Sequence, residues 1–127
     1  MALSAGNERA SLAVRLKQAE RLLVEKLSPE LTERDLTLDH WRMLCVLAAH
    51  PGLPMSSLAV DACVPAPSLT RYVDKLAQRG VIIRTTDPHD RRKVVVALSV
   101  LGKQIHAELS PVERAIEHDV ASEFAVL

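Results

Sequence analysis

Basic side chains stand in two short stretches of this 127-residue chain, and their chemistry suits binding to a polyanion. The first stretch holds Arg71 and Lys75, one helical turn apart, and the second is the run Arg91-Arg92-Lys93. A guanidinium can bond a guanine edge bidentately or enter a narrow minor groove, whereas an ammonium is a point charge suited to phosphate. These residue types therefore point to duplex DNA, with Arg71 as the reader of a base and Lys75 as a phosphate contact.

The net charge of zero is compatible with DNA binding, because the charges are unevenly distributed along the chain. Residues 37–103 carry nine basic and five acidic side chains, whereas residues 104–127 carry one basic and five acidic ones. A basic middle and an acidic tail cancel in the total. One surface can therefore still present the excess of Lys and Arg that binding to phosphates requires.

Other classes of function have weaker support in the sequence. Acid–base pairs, a glycine-rich phosphate loop and a Ser/His/Asp set are absent at motif spacing, so we expect neither enzyme activity nor a cofactor. His106 and His118 lie 12 residues apart without paired ligands, so no metal site is expected. No apolar run approaches the roughly 18 residues of a membrane span. The lack of a CxxC motif and of a secretory leader favours a reducing cytoplasm.

Apolar residues at helical spacing predict four helices before the basic run, over residues 7–27, 37–48, 57–62 and 66–79. Ser28-Pro29 is expected to end the first helix, and Thr37 to cap the second. The stripe of the first helix includes Leu12, Leu16 and Leu27, and it needs a cover, either the rest of this chain or a second copy. Core packing within one chain is the simpler interpretation.

After Gly80 the apolar period changes from about 3.6 to about two, which predicts a hairpin. Its strands cover residues 81–83 and 93–98, and a polar turn over residues 85–92 joins them. Ser99 is expected to cap a final helix in which Pro111 introduces a kink or a break. The predicted fold is therefore mainly α-helical with a small β-hairpin.

Two short helices followed by a basic hairpin match the plan of a winged helix-turn-helix. The exposed face of helix 66–79 offers the major groove the small, polar and basic side chains of Pro67, Ser68, Thr70, Arg71 and Lys75. An ordinary amphipathic surface helix would show the same face, but the basic hairpin beside it favours a wing that reaches the minor groove. Asp90 either orients one of the wing arginines or only begins the turn.

From Leu36 to Gly102 the sequence resembles the MarR (multiple antibiotic resistance regulator) family of bacterial winged-helix transcription factors. The matching positions are Leu76, Arg79-Gly80, Arg84, Asp87-Pro88, Asp90-x-Arg92 and Leu98-Ser99-x-x-Gly102. The resemblance implies a homodimer on a near-palindromic DNA site, with Arg92 at the minor groove and Arg91 beside it. One departure is Pro65, which stands where the family often has a Ser, Thr or Asp, so the cap of this helix is expected to be either missing or supplied differently.

The resemblance also implies repression that a small lipophilic or phenolic effector relieves by binding between the dimerisation region and the winged helix. His40 and Trp41 are the candidates to line such a pocket, although a Trp on the inward face of a helix is more often part of the core. Two alternatives stay open. One is redox sensing through Cys45 or Cys63 in the same fold, and the other is a winged helix that binds only protein.

The predicted organisation has three parts. Residues 1–35 form a dimerisation helix, residues 36–102 the winged helix-turn-helix, and residues 103–127 a C-terminal dimerisation segment that is shorter than usual for the family. The complete set of predicted DNA-binding residues is Pro67, Ser68, Thr70, Arg71, Lys75, Arg84, Asp90, Arg91, Arg92 and Lys93.

Overall fold

The computed structural model describes residues 11–123. Over these residues the elements follow in the order α1 (Leu12–Glu33), α2 (Leu38–Ala48), β1 (Leu53–Pro54), α3 (Met55–Ala62), α4 (Ala66–Gln78), β2 (Ile82–Asp87), β3 (Asp90–Leu98) and α5 (Val100–Glu123). The strands form one antiparallel sheet in the order β1-β3-β2. The predicted class, mainly α-helical with a small β-hairpin, is confirmed. In this part of the chain, none of the helices combines the length and apolarity needed to cross a membrane.

The described residues divide into two compact units. One contains the residues up to Asp35 together with those from Leu109 onward, and the other is Leu36–Glu108. All residues predicted to contact DNA belong to the second unit, which is therefore the unit that has to position them.

Helix α1 continues through Pro29, so the prediction that Ser28-Pro29 ends it is wrong. A proline inside a helix costs about 3 kcal/mol, because it donates no hydrogen bond and its ring crowds the preceding turn. Leu27 and Leu31 lie on either side of it and are buried, and burying two leucines contributes roughly 3–6 kcal/mol. Burial therefore outweighs the cost of the proline, and the helix continues to Glu33.

The first turn of α1 is capped by Ser11, whose Oγ accepts a hydrogen bond from the Val14 N–H at 3.1 Å. The predicted start at Asn7 lies outside the described residues. Leu12 and Leu16 are 56% and 51% exposed, so the prediction that the stripe packs within the chain is wrong at these two positions. Their apolar surface stays uncovered within the described part of the chain.

The second unit is built around α2, which packs against α3 and β3. The Thr37 Oγ1 accepts a hydrogen bond from the His40 N–H at 3.2 Å, and the His40 Nδ1 accepts one from the Thr37 N–H at 3.0 Å. This reciprocal pair confirms Thr37 as the N-cap. The buried residues of α2 are His40, Trp41, Met43, Leu44 and Leu47.

The hairpin of β2 and β3 is longer than predicted. Only Pro88 and His89 are left between the strands, so the prediction of a polar turn over residues 85–92 is wrong. Most of β2 is exposed, and a strand without a buried face shows no alternation of apolar and polar residues to reveal it. Strand β1 was not predicted either, because two residues are too few to show a period. Its Leu53 pairs with Val96 of β3.

Helix α5 is continuous through Pro111, so a break at this proline is excluded. Leu109 and Ile116, on either side of the proline, are both buried. Their burial stabilises α5 although Pro111 has no N–H to donate to the preceding turn, just as the burial of two leucines stabilises α1 around Pro29.

Candidate nucleic-acid interface

The turn between α3 and α4 is made by Cys63, which adopts a left-handed conformation with φ +57°. The Cys63 N–H donates to the Val60 carbonyl at 3.2 Å, and the Val64 N–H donates to the Ala59 carbonyl at 3.0 Å. These two bonds form a Schellman motif, and the buried Val64 side chain anchors it. The chain therefore leaves α3 in a fixed direction and enters α4 within a few residues.

Helix α4 begins after Pro65 without a side-chain cap, which was one of the two predicted alternatives. Prolines are tolerated at this point, because the first N–H groups of a helix have no partner within the helix. The first turn consequently carries only the small side chains of Ala66, Pro67 and Ser68. A turn of this kind can approach a DNA groove closely.

One face of α4 is buried and the other is exposed. Leu69, Val73 and Leu76 are buried, as predicted from the spacing. The predicted contact residues on the other face are Pro67, Thr70, Arg71 and Lys75, which are exposed, and Ser68, which is half-buried. The surface predicted to meet DNA is therefore accessible.

Two polar side chains of this exposed face bond within their own helix. The Thr70 Oγ1 donates to the Ala66 carbonyl at 3.4 Å, and the Arg71 Nη2 donates to the Ser68 Oγ at 3.3 Å. The guanidinium carbon of Arg71 also lies 5.9 Å from the centroid of the Tyr72 ring. These contacts keep the Arg71 guanidinium beside the first turns of α4.

The wing is the hairpin of β2 and β3, and its basic residues Arg91, Arg92 and Lys93 are exposed. The Asp90 Oδ1 accepts hydrogen bonds from the Arg92 N–H at 3.0 Å and from the Arg92 Nε at 3.2 Å. The Arg92 side chain is nevertheless 91% exposed. Of the two roles considered for Asp90, the structure thus supports the orientation of a wing arginine.

Arg84 reaches a partner that the sequence did not predict. Its Nη2 donates to the Asp74 Oδ1, so that an ion pair joins β2 to the exposed face of α4. The two residues are ten positions apart and lie on different elements, so no periodic pattern links them. The structure thus brings Arg84 to α4.

Ser99 fixes the base of the wing. Its Oγ lies 2.5 Å from the Gly80 carbonyl oxygen and 2.9 Å from the Val81 carbonyl oxygen, and it accepts from the Gly102 N–H at 3.0 Å. The predicted cap of α5 is therefore confirmed. The same hydroxyl also bonds the segment between α4 and β2, which couples the end of α4 to the start of α5.

His40 and Trp41 are each 1% exposed and belong to the core. The His40 ring meets the Tyr72 ring edge-on at a centroid distance of 4.9 Å, and the Trp41 ring stacks on His106 at 5.5 Å. Both rings therefore lie in the core. This was the alternative to the prediction that they line an effector pocket.

A nearby cleft of about 430 Å³ lies in the same unit. It is lined by Leu47, Ala48, Ala49, His50, Pro51, Ala97, Leu98, Lys103 and His106. Most of its lining residues are apolar, and the others are His50, Lys103 and His106. His40 and Trp41 are not among its lining residues. Within residues 11–123, no group of three or more His, Cys, Asp or Glu side chains is placed to hold a metal ion.

A short helix, a tight turn, a second helix with an exposed polar face and an adjoining basic hairpin together define a winged helix-turn-helix DNA-binding domain. The MarR family model matches residues 36–94, which include α2, α3, α4, β2 and much of β3.

Relatives extend this match over most of the chain. The chain is 30% identical to the HTH-type transcriptional regulator FarR of Neisseria gonorrhoeae over 103 residues, which are 81% of this chain and 70% of FarR. It is 29% identical to the homoprotocatechuate degradative operon repressor of Escherichia coli, over 76% of this chain and 65% of that protein. The solved structure of NadR in complex with 4-hydroxyphenylacetate matches with a TM-score of 0.79 and 27% identity, over 90% of this chain and 81% of NadR. The chain therefore belongs to the MarR family of transcriptional regulators.

Proposed function

We propose that this regulator is a repressor that binds a near-palindromic DNA site as a homodimer and releases it when a small effector binds. The observation that carries the proposal is that α4 and the wing present their basic residues from one compact unit. A regulator of this bacterial family has to reach the chromosome, which lies in the cytoplasm. We therefore propose a cytoplasmic location.

Helix α4 acts as the recognition helix in the major groove. Arg71 reads a base edge, while Lys75, one turn further along the same exposed face, contacts a phosphate. Pro67, Ser68 and Thr70 line the first turns, where their small side chains allow the backbone to approach the base pairs. The Arg71 guanidinium exchanges its bond with Ser68 for one with a base when DNA is bound.

The wing lies along the minor groove beside the recognition helix. Arg92 inserts into the groove, held in direction by Asp90, while Arg91 and Lys93 contact the flanking phosphates. A guanidinium that is almost fully exposed and yet bonded to a neighbouring carboxylate loses little conformational freedom when it enters a groove.

Dimerisation uses residues 1–35 and 103–127. Leu12, Val14, Leu16 and Val24 of α1 are all exposed, and together they leave apolar surface on a helix of 22 residues. Surface of this kind on one helix is typical of protein–protein contacts. A second copy of the chain is the partner that a palindromic site requires.

The cleft of the second unit is the proposed effector site. Its mostly apolar lining suits a small aromatic ring, and Lys103, His50 and His106 offer positive charge or hydrogen bonds to an acidic or phenolic group. NadR has been solved with 4-hydroxyphenylacetate, and the E. coli relative is named for a homoprotocatechuate degradative operon. A phenolic effector is therefore the class that we propose for this chain.

Selection of bound sites from random duplex DNA tests the proposal as a whole. We expect an inverted repeat whose half-sites lie about one helical turn apart. On the selected site, Arg92→Ala should weaken binding by about 1–3 kcal/mol. Arg42→Ala in α2 is the matched control, because it removes the same charge from a helix that is proposed neither to contact DNA nor to form the dimer. Recovery of no common sequence, or equal affinities of the Arg92→Ala variant and the wild type, would contradict the proposal.

A further inference from the structure

We propose that the ion pair between Asp74 and Arg84 is a specificity device, which fixes the recognition helix α4 to the wing and withholds Arg84 from indiscriminate phosphate contact. This inference rests on the proposed function. Asp74 and Arg84 are positioning residues in this role, because they act through the groups on either side of them and not on a base.

The position of Asp74 calls for a physical explanation. It lies three residues after Arg71 and directly before Lys75, on the exposed side of α4 that is proposed to meet DNA. A carboxylate at such a place repels phosphate and weakens binding to every sequence alike. Pairing with Arg84 cancels the charge of Asp74 locally, so the pair as a whole is neutral toward DNA.

Arg84 has an equally specific place in the fold. It is the third residue of β2 and pairs with Val96 in the central strand of the sheet, below the basic residues of the wing. Its side chain is 42% exposed and that of Asp74 is 58% exposed. The pair is thus accessible to solvent, and a released Arg84 guanidinium would be free to contact a phosphate of any sequence.

The Asp74–Arg84 ion pair therefore joins α4, which is proposed to read the major groove, to the wing, which is proposed to read the minor groove. Arg71 and Asp74 are neighbours along one face of α4, and Arg84 and Arg92 belong to the two strands of one hairpin. A fixed distance between α4 and the wing favours DNA sites whose groove geometry fits both elements at once. An exposed ion pair contributes little to folding stability, so its effect should be visible in DNA binding and not in unfolding.

The test compares affinities for the selected site and for a scrambled duplex in the wild type, Asp74→Asn, Arg84→Gln and the double variant. In Asp74→Asn the released Arg84 should raise affinity for both duplexes and steepen the slope of log K against log salt by about 0.9, the value for one added phosphate contact, whereas the loss of the link between α4 and the wing should lower the preference for the selected site. The ratio of specific to non-specific affinity should fall roughly threefold to tenfold in each single variant.

The double variant decides between coupled and independent roles. If the two residues act as a pair, the ratio in the double variant should equal that in either single variant. Arg84→Lys should keep more of the ratio than Arg84→Gln, because it retains a charge for Asp74. Asp61→Asn on α3, which removes an exposed negative charge from the neighbouring helix, is the control that should leave the ratio unchanged.

The outcomes separate this inference from the function on which it rests. A wild-type chain without any site preference would overturn both. A wild-type preference that is unchanged in the single variants, or losses that multiply in the double variant, would overturn the pairing role alone. Unfolding midpoints measured on all variants identify any loss of fold, and Asp74→Ser replaces Asp74→Asn if the latter does not fold.

Discussion

Replacing Gly102 by alanine should destabilise the protein, although alanine is the better helix former. A Cβ at this position would overlap the Val81 carbonyl oxygen. That oxygen accepts a hydrogen bond from the Ser99 N–H at 3.1 Å and lies 2.9 Å from the Ser99 Oγ. To make room, the segment at the base of the wing has to move away from the first turn of α5 and give up both contacts.

The size of the effect follows from three contributions. Two hydrogen bonds represent about 2 kcal/mol, and forcing a methyl group into an occupied space costs about 1–3 kcal/mol. The higher helix propensity of alanine offsets about 1 kcal/mol of this loss of stability. We therefore expect the free energy of unfolding to fall by about 2–4 kcal/mol.

Urea unfolding followed by circular dichroism measures this quantity. All variants are compared at one protein concentration, because the proposed homodimer would unfold in a concentration-dependent way. Gly80→Ala is the matched control: Gly80 has φ +73° with open space around it, so only the left-handed backbone is penalised, by about 1–2 kcal/mol. The G102A variant should be the less stable of the two. If it instead gains stability, as helix propensity alone predicts, the described contact between Gly102 and Val81 is refuted.

Four further outcomes are expected. Lys75→Ala should weaken binding to specific and scrambled DNA alike and lower the salt slope by about 0.9; a change confined to one base position would argue against a phosphate contact. Thr37→Ala removes the cap of α2 and should cost about 1 kcal/mol in urea unfolding, so an unchanged stability would speak against the capping box. Cys63→Ser should leave DNA affinity and its response to mild peroxide unchanged, whereas a response lost in this variant would favour the redox alternative. Lys103→Ala should raise the concentration of phenolic acid needed for DNA release by about tenfold, and an unaltered concentration would remove the cleft as the effector site.

The local elements were predictable where a short-range signal decides the structure. Thr37 and Ser99 cap the helices that follow them, and both caps were predictable because capping is an interaction among near neighbours in the chain. The exposed polar face of α4 followed from helical spacing alone. The exposure of most residues that are predicted to contact DNA could thus be inferred from the sequence.

The failures have tertiary causes. Pro29 and Pro111 signal helix ends locally, but buried residues on either side of each proline keep α1 and α5 continuous. The ion pair of Asp74 with Arg84 joins residues on a helix and a strand, and only the fold brings them together. The cleft proposed as the effector site is likewise assembled from α2 and the segment after it, β3 and α5, which no linear motif connects.

The two-residue strand β1 gives the wing an uneven stiffness along its length. At Val95 and Val96 the sheet has three strands, whereas from Val94 to the turn at Pro88 it is a two-stranded ribbon. A two-stranded ribbon is only marginally stable by itself, whereas a third strand adds main-chain hydrogen bonds that hold the sheet in place. The third strand thus supports the wing at the level of Arg84, where the ion pair with Asp74 meets α4, and leaves the tip to two strands, so that the contacts proposed for the tip can adjust to the width of a minor groove.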